Sequence, residues 1–397
     1  MTLGFAPRLC YPDEVRTIIA LIVFITAGLQ AADKYMGWQS CATSGCHGGG
    51  TGKDQIRILL GPKDAALEQS RDQHKGRNFA PAELQGVSSE FAKALNIGKQ
   101  ADWYDAIATK VGIKDYRTDL HCNVCHTPMK TVAPELLTHK HPTGDVSCET
   151  CHGPAEKWLL FHTRKDVTHE QRVALGMRDL STPYLRANSC VGCHANLPSE
   201  LRKASHPELR FEFARQIFAL PPHWNSPELP ARNWLTGQAV LLRELCWQVE
   251  KGDTSTELAD RIRALHWLLH ETPSGAKVLP DVKDDFSAPA LRATADKLAK
   301  AASNSEWSAA QTRSFFDHAV ELANGLASEK KEEVQQRRSQ VLARAITGLA
   351  IALDPKLAKQ QMAMLEALDA KHAEATFHLD AFTDKVTKVR TAFASKP

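Results

Sequence analysis

CETCHGPAEKWLLFH, residues Cys148 to His162, sets two cysteines one helical turn apart, puts a histidine directly after the second, and brings another histidine ten residues later. Pro154 suits the first turn of a helix, and Trp158 and His162, four residues apart, would share one face of it. The same cysteine, cysteine, histidine order recurs outward from this stretch. It stands upstream as CNVCH (Cys122, Cys125, His126) and downstream as CVGCH (Cys190, Cys193, His194). A fourth copy, CATSGCH, has four residues between its cysteines (Cys41, Cys46, His47). Eight of the ten cysteines are thereby used, and every pair is followed by histidine.

Two thiols at this separation can form thioethers with the two vinyl groups of one porphyrin, and the adjacent histidine is then carried under the iron. The motifs therefore predict four covalently attached haem c groups. Their cofactor-binding residues are Cys41, Cys46, Cys122, Cys125, Cys148, Cys151, Cys190 and Cys193, and their proximal iron ligands His47, His126, His152 and His194. Disulfides or zinc sites are the alternative use of paired cysteines in an exported chain. Neither requires a histidine after every second cysteine, and histidine is only 17 of the 397 residues here.

A sixth iron ligand, or its absence, separates pure electron transfer from chemistry at the metal. The candidate distal ligands are His74, His139, His141, His162 and His206. His74 falls on a helix expected over Lys63 to Lys75. His139 and His141 share a short His-Lys-His-Pro loop in which one is expected to coordinate, and His206 opens the segment HPELRFEF. His121, beside Cys122, cannot reach its own haem, and His121, His169 and His223 are not expected to be ligands.

The N-terminus has the pattern of an export signal. Arg16 precedes an apolar run from Thr17 to Thr26, and small residues follow at Ala27, Gly28, Ala31 and Ala32, with cleavage expected after Ala31 or Ala32. The run is far shorter than the roughly 20 apolar residues of a spanning helix. A periplasmic protein is expected, with residues 1–32 as signal peptide. Net charge is +3 without a basic block, which argues against a nucleic-acid partner.

From about Asn225 the chain changes character, becoming poor in glycine and rich in Ala, Leu, Glu, Lys and Gln. Val334, Val341, Leu342, Ala345, Ile346, Leu349 and Leu353 line one face of a helix that Asp354-Pro355 should end. Further helices are expected over 233–250, 255–271, 289–303, 307–327, 356–375 and 379–394, divided by a loop with Pro273, Gly275 and Pro280. His266 and His270 sit four apart in HWLLH, which lacks the glutamate of a zinc-protease helix and is read as packing. Cys246, beside Trp247, has no haem motif and is read as a buried small hydrophobe.

CETCHGPAEKWLLFH, the HPELRFEF and PPHW segments, and four haem motifs in this order together resemble the cytochrome c-554 family of tetrahaem electron carriers, over roughly residues 39 to 238. The resemblance implies haems in close pairs, three irons with two histidines each, and one iron that is five-coordinate in some members. By position it assigns His74 to the third haem, His139 or His141 to the first and His162 to the fourth, and leaves the second, at His126, either open or capped by His206. The chain departs from the family in the wide Cys41–Cys46 spacing and in its long C-terminal extension.

The expected architecture is mainly α. A multihaem cytochrome c domain with few or no strands occupies residues 33–228, and an α-helical C-terminal domain follows over 229–397. The expected function is electron transfer between redox protein partners, with no catalytic residue assigned. A haem redox enzyme acting on a small nitrogen oxide or peroxide at a five-coordinate haem is the competing reading, and association with a membrane respiratory complex a third.

Overall fold

Thr182-Pro183 shows how this sequence starts its helices: the Thr182 side chain accepts a hydrogen bond from the Leu185 amide, and Pro183, with no amide proton to lose, occupies the first turn. Ser255, Thr272, Ser308 and Asp354 act as caps in the same way further on. The computed structural model describes residues 33–36, 97–138, 148–219, 230–282, 286–370 and 377–394. The expected signal segment, the helix over Lys63 to Lys75, the first motif (Cys41, Cys46, His47), and His74, His139, His141 and His223 lie outside the described residues.

In chain order the helices are α1 (Ile97–Lys110), α2 (Leu120–His126), α3 (Cys148–His152), α4 (His169–Ala174), α5 (Pro183–His194), α6 (Ser199–Lys203), α7 (Phe213–Ala219) and α8 (Pro230–Glu250). They continue as α9 (Thr256–His270), α10 (Pro273–Val278), α11 (Ala288–Asn304), α12 (Ala309–Gly325), α13 (Glu332–Leu353), α14 (Pro355–Gln360), α15 (Met362–Ala370) and α16 (Leu379–Ala392). Among the described residues the β pairing is a single parallel bridge, Tyr35 to Leu137, so the mainly α expectation holds.

The helices expected from periodicity in the C-terminal half are present, with two differences. The Pro273 to Pro280 stretch is not simply a loop, because Thr272 accepts from the Gly275 amide and caps the short α10. The helix expected over 356–375 is two helices, α14 and α15, broken at Gln361. Near the third motif, residues 156–163 form successive turns rather than the helix expected from Pro154. The hydrogen bond from the His162 amide to the Trp158 carbonyl, 2.9 Å, still sets those two side chains on one side.

Helix α8 is buried nearly all round: Ala231, Trp234, Leu235, Ala239, Val240, Leu242, Leu245 and Cys246 are buried, and so are the polar Asn233, Thr236 and Gln238. Such a helix belongs at a centre, and α5, α7, α9, α11 and α13 surround it. Two glycines permit the closest crossings. A Cβ on Gly237 would stand 2.3 Å from the Phe213 Cβ, and one on Gly348 would stand 2.7 Å from Trp234 Cδ1. The core runs continuously from Ala187 in α5 to Phe393, so it crosses residue 229, where composition changes.

A polar latch fastens α5 to the same centre. The Tyr184 hydroxyl donates to Asp296 at 2.7 Å, and Arg243 donates to Asp296 at 2.9 Å and to Asn188. Burial alone would raise the Asp296 carboxyl, but hydrogen bonds from Lys300, Tyr184 and Arg243 outweigh it and hold the group at about 2. Cys246 is buried in the main core, and burial pushes its thiol up to about 12, in keeping with a packing role. The His266 ring lies 2.8 Å from the Pro280 carbonyl and His270 pairs with Asp281 at 3.2 Å, so both histidines brace the α9 to α10 corner.

Glu212, at the head of α7, is fully buried; although it accepts from the Arg215 amide and lies near Arg344, burial raises its carboxyl to about 7. The unfolded chain would release this proton near 4.5, so between the two values the native state holds a proton the unfolded state lacks. Stability from this group is therefore full below about pH 4.5 and is lost as pH rises towards 7, by about 3 kcal/mol. Glu212→Gln is expected to flatten that decline, as judged by denaturant midpoints at about pH 5 and pH 8.

Candidate haem centre

The three described motifs are built alike: α2, α3 and the last turn of α5 each carry the two cysteines three residues apart and end at the motif's histidine. Helical geometry puts residues i and i+3 on one face, about 5–6 Å apart at Cβ, so both thiols of a pair present to the same side. Local capping fixes these short helices. Asp119 accepts from the His121 amide at 2.8 Å to start α2, and Thr182 starts α5.

Glu149, inside the third motif, was not singled out by sequence reasoning. It is buried, and one of its oxygens accepts from the Met36 amide at 2.9 Å and the Ala155 amide at 2.8 Å. This carboxylate ties the motif to residues 33–36. No sequence pattern marks it, since its partner Met36 lies 113 residues away along the chain.

Tertiary packing brings the motifs together. The Cys125 and Cys193 thiols are hydrogen-bonded to each other, and that bond, followed by burial, raises Cys125. Cys193 also approaches the Val124 carbonyl at 3.8 Å. Cys151 interacts electrostatically with Cys190 and Cys193, and burial pushes the Cys190 thiol up to about 12. No disulfide joins the seven described cysteines, and among the described residues no group of three or more His, Cys, Asp or Glu side chains is arranged to hold a metal ion by itself.

At His126, His194 and His162 burial favours the neutral imidazole, the form that can donate a lone pair to iron. Burial, and secondarily the charge of His206, pushes His126 down to about 4; burial also lowers His194 and His162. His162 contacts Leu159 O through Nδ1, which therefore carries the proton and leaves the lone pair on Nε2. The His162 ring stands edge-on to Trp158 at 5.5 Å, and His152 faces the same indole at 6.3 Å. His206 lies 6.3 Å from His126, ring centre to ring centre. His121 and His169 instead pair with Asp119 and Asp179, each at 3.0 Å.

These residues fit a porphyrin with polar edge groups. The buried Trp158 Nε1 near His152 and the buried Tyr116 hydroxyl have no hydrogen-bond partner among the described residues, and both are donors suited to a propionate. Leu120 and Val124 in α2, and Leu160 and Phe161 before His162, present apolar surface beside the same motifs. Tyr104 stands edge-on to His126 at 5.9 Å and stacks on Tyr116 at 5.3 Å. Neither tyrosine could have been found from motif spacing, because only the packing of α1 brings Tyr104 to α2.

Comparison with known proteins agrees with this geometry. Residues 87–153, which include α1 and the motifs at Cys122 and Cys148, match the family model described as cytochrome c554 and c-prime. No curated protein and no solved structure matches the chain. The resemblance to the cytochrome c-554 family is thereby shown on two of the motifs that first suggested it, and it brings the general chemistry of the group: covalently bound haem c, iron, and electron transfer.

Proposed function

We propose that this c-type cytochrome is a periplasmic carrier holding four haem c groups and passing electrons between redox protein partners. The observation that carries the reading is the convergence of α2, α3 and α5, with the Cys125 and Cys193 thiols in contact. Ring edges tethered to those sulfurs would lie close together, as a chain of one-electron sites requires.

Each bound haem would supply an iron that cycles between ferrous and ferric states. Cys122 and Cys125, Cys148 and Cys151, Cys190 and Cys193, and Cys41 and Cys46 would hold the four rings, with His126, His152, His194 and His47 beneath them. The chain's own part is to keep the His126 and His194 imidazoles neutral by burial, to exclude water and to set potentials through burial and hydrogen bonding. Tyr116 and Trp158, whose buried donors have no partner among the described residues, would donate to the ring's polar edge. In this reading residues 33–228 form the haem domain, and the helices of 229–397 clamp its fourth motif through α5 and shield it.

Haem stain that survives denaturing electrophoresis, with an intact mass equal to the chain plus four haems, is the expected result. N-terminal sequencing of periplasmic protein should begin just after Ala31 or Ala32. Absence of stain would overturn the haem assignment, and a mass with three haems would remove the wide Cys41–Cys46 motif from it.

A further inference from the structure

We propose that Gln248 and Glu244, on α8 of the C-terminal half, are positioning residues for the haem held by Cys190, Cys193 and His194, and that through the end of α5 they set its reduction potential. The proposal rests on the reading of that motif as a haem site.

His194 is the last residue of α5, so its ring is aimed by the helix's final turn. The last carbonyls of a helix lack intrahelical partners, and this is ordinarily where a helix frays. No glycine closes α5; Ala195 takes the cap position, with its amide bonded to the Val191 carbonyl at 2.9 Å. What holds the turn comes from α8. Gln248 Nε2 donates to the buried Ala195 carbonyl at 3.0 Å and to Asn196 Oδ1 at 3.2 Å. Asn196 Nδ2 donates in turn to Glu244 Oε2 at 3.0 Å. Glu244 and Gln248 are four residues apart and share one face of α8. A carbonyl and an arginine-paired carboxylate only accept, so each amide has one workable orientation, and the residues following His194 are gripped from two points.

The grip extends to both sides of the motif. Arg243 donates to Glu244 Oε1 at 2.7 Å and to Asn188 Oδ1, two residues before Cys190. Past the motif, Arg202 of α6 donates to the Leu197 carbonyl at 3.3 Å and to Asp253 at 2.7 Å, and both of these charged side chains are mostly buried. Residues 190–194 therefore lie between two fixed points, Asn188 and Asn196, each held from α8. Helix α2 is closed differently, by the Thr127 amide and hydroxyl donating to Asn123 within its own last turn.

A haem's potential follows the orientation and hydrogen bonding of its ligand and the water that reaches it. Holding the His194 turn from α8 makes one haem answer to the C-terminal half. That half then takes part in electron transfer beyond covering the ring.

The test compares the wild-type holoprotein with Gln248→Met, which removes the donor at similar volume, and with Trp234→Ala, near the opposite end of α8. Gln248→Met is expected to keep the wild-type haem mass and helical circular dichroism while displacing one reduction step. The displacement should be about tenfold in that haem's oxidised-to-reduced ratio at fixed potential, roughly 59 mV for a one-electron couple. The displaced step should be the one missing from a Cys190→Ala, Cys193→Ala double variant, and the electron paramagnetic resonance signal of the same haem should change. Trp234→Ala should lower stability and leave every step in place. Unchanged potentials in Gln248→Met would overturn the proposal, and so would an equal displacement in Trp234→Ala, which would mean general loosening. If Gln248→Met does not accumulate, Glu244→Ala, which releases Asn196 alone, should displace the same step, and unchanged potentials there would overturn it equally. Wild-type protein without haem at Cys190 and Cys193 would defeat the parent reading, and peptide mass distinguishes that failure from a failure of Gln248 and Glu244.

Discussion

Replacing Cys190 and Cys193 together by alanine is expected to remove one covalent haem while leaving the helices from Pro230 onward folded. The two faces of α5 have different duties. Ala187 and Val191, four residues apart, are buried in the main core against α8, whereas Cys190, at the edge of that core, and Cys193 are only partly buried and lie near Cys151 and Cys125. Deleting the sulfurs therefore takes the cofactor anchor from one side of the helix and leaves its apolar seam and the Tyr184, Asn188, Arg243 and Asp296 latch on the other. The intact mass should fall by one haem, and helical circular dichroism should remain near the wild-type value. The Cys125 thioether would lose its Cys193 neighbour, so a shift in the potential of the adjoining haem should accompany the loss. A full haem complement in the double variant would show that α5 does not anchor a ring.

Trp234→Ala is expected to lower the unfolding free energy by about 3–5 kcal/mol, a large share of the 5–15 kcal/mol typical of whole domains. Trp234 is fully buried, with its ring centre 5.2 Å from that of Phe315 and 6.3 Å from that of Trp307. Gly348 on α13 presses against it so closely that no Cβ would fit. A cavity there cannot collapse easily, because α7, α11 and α13 are each held against α8 by other contacts. Denaturant unfolding of the holoprotein, followed by far-ultraviolet circular dichroism, measures the loss, while the haem mass should not change. A cost below about 1 kcal/mol would mean that α8 is not the centre of this core.

The chemistry of the site was legible because covalent attachment demands residues in local order. Cysteine pairs followed by histidine cannot be spread across the chain, so the motifs at Cys122, Cys148 and Cys190 announce themselves without any fold. The helices of the C-terminal half were legible for a related reason: apolar period, caps and prolines act within a few residues, as at Ser308 and Asp354. Where local signals competed, the sequence misled. Pro154 promised a helix that the structure replaces with turns, and Gln361 breaks a run whose periodicity read as continuous.

By itself, then, the sequence determined a mainly α protein with cysteine-histidine motifs for covalent haem, because propensity, capping and motif chemistry are properties of neighbours along the chain. Tertiary structure alone decided that Cys125 meets Cys193, that Tyr104 and His206 stand beside His126, and that Glu149 anchors the segment around Met36. It also decided that α5, which carries the Cys190 motif, and the C-terminal helices share one core across the composition change. Such contacts join residues far apart in sequence, and they follow from which helix faces bury each other and how closely glycines such as Gly237 and Gly348 let them approach.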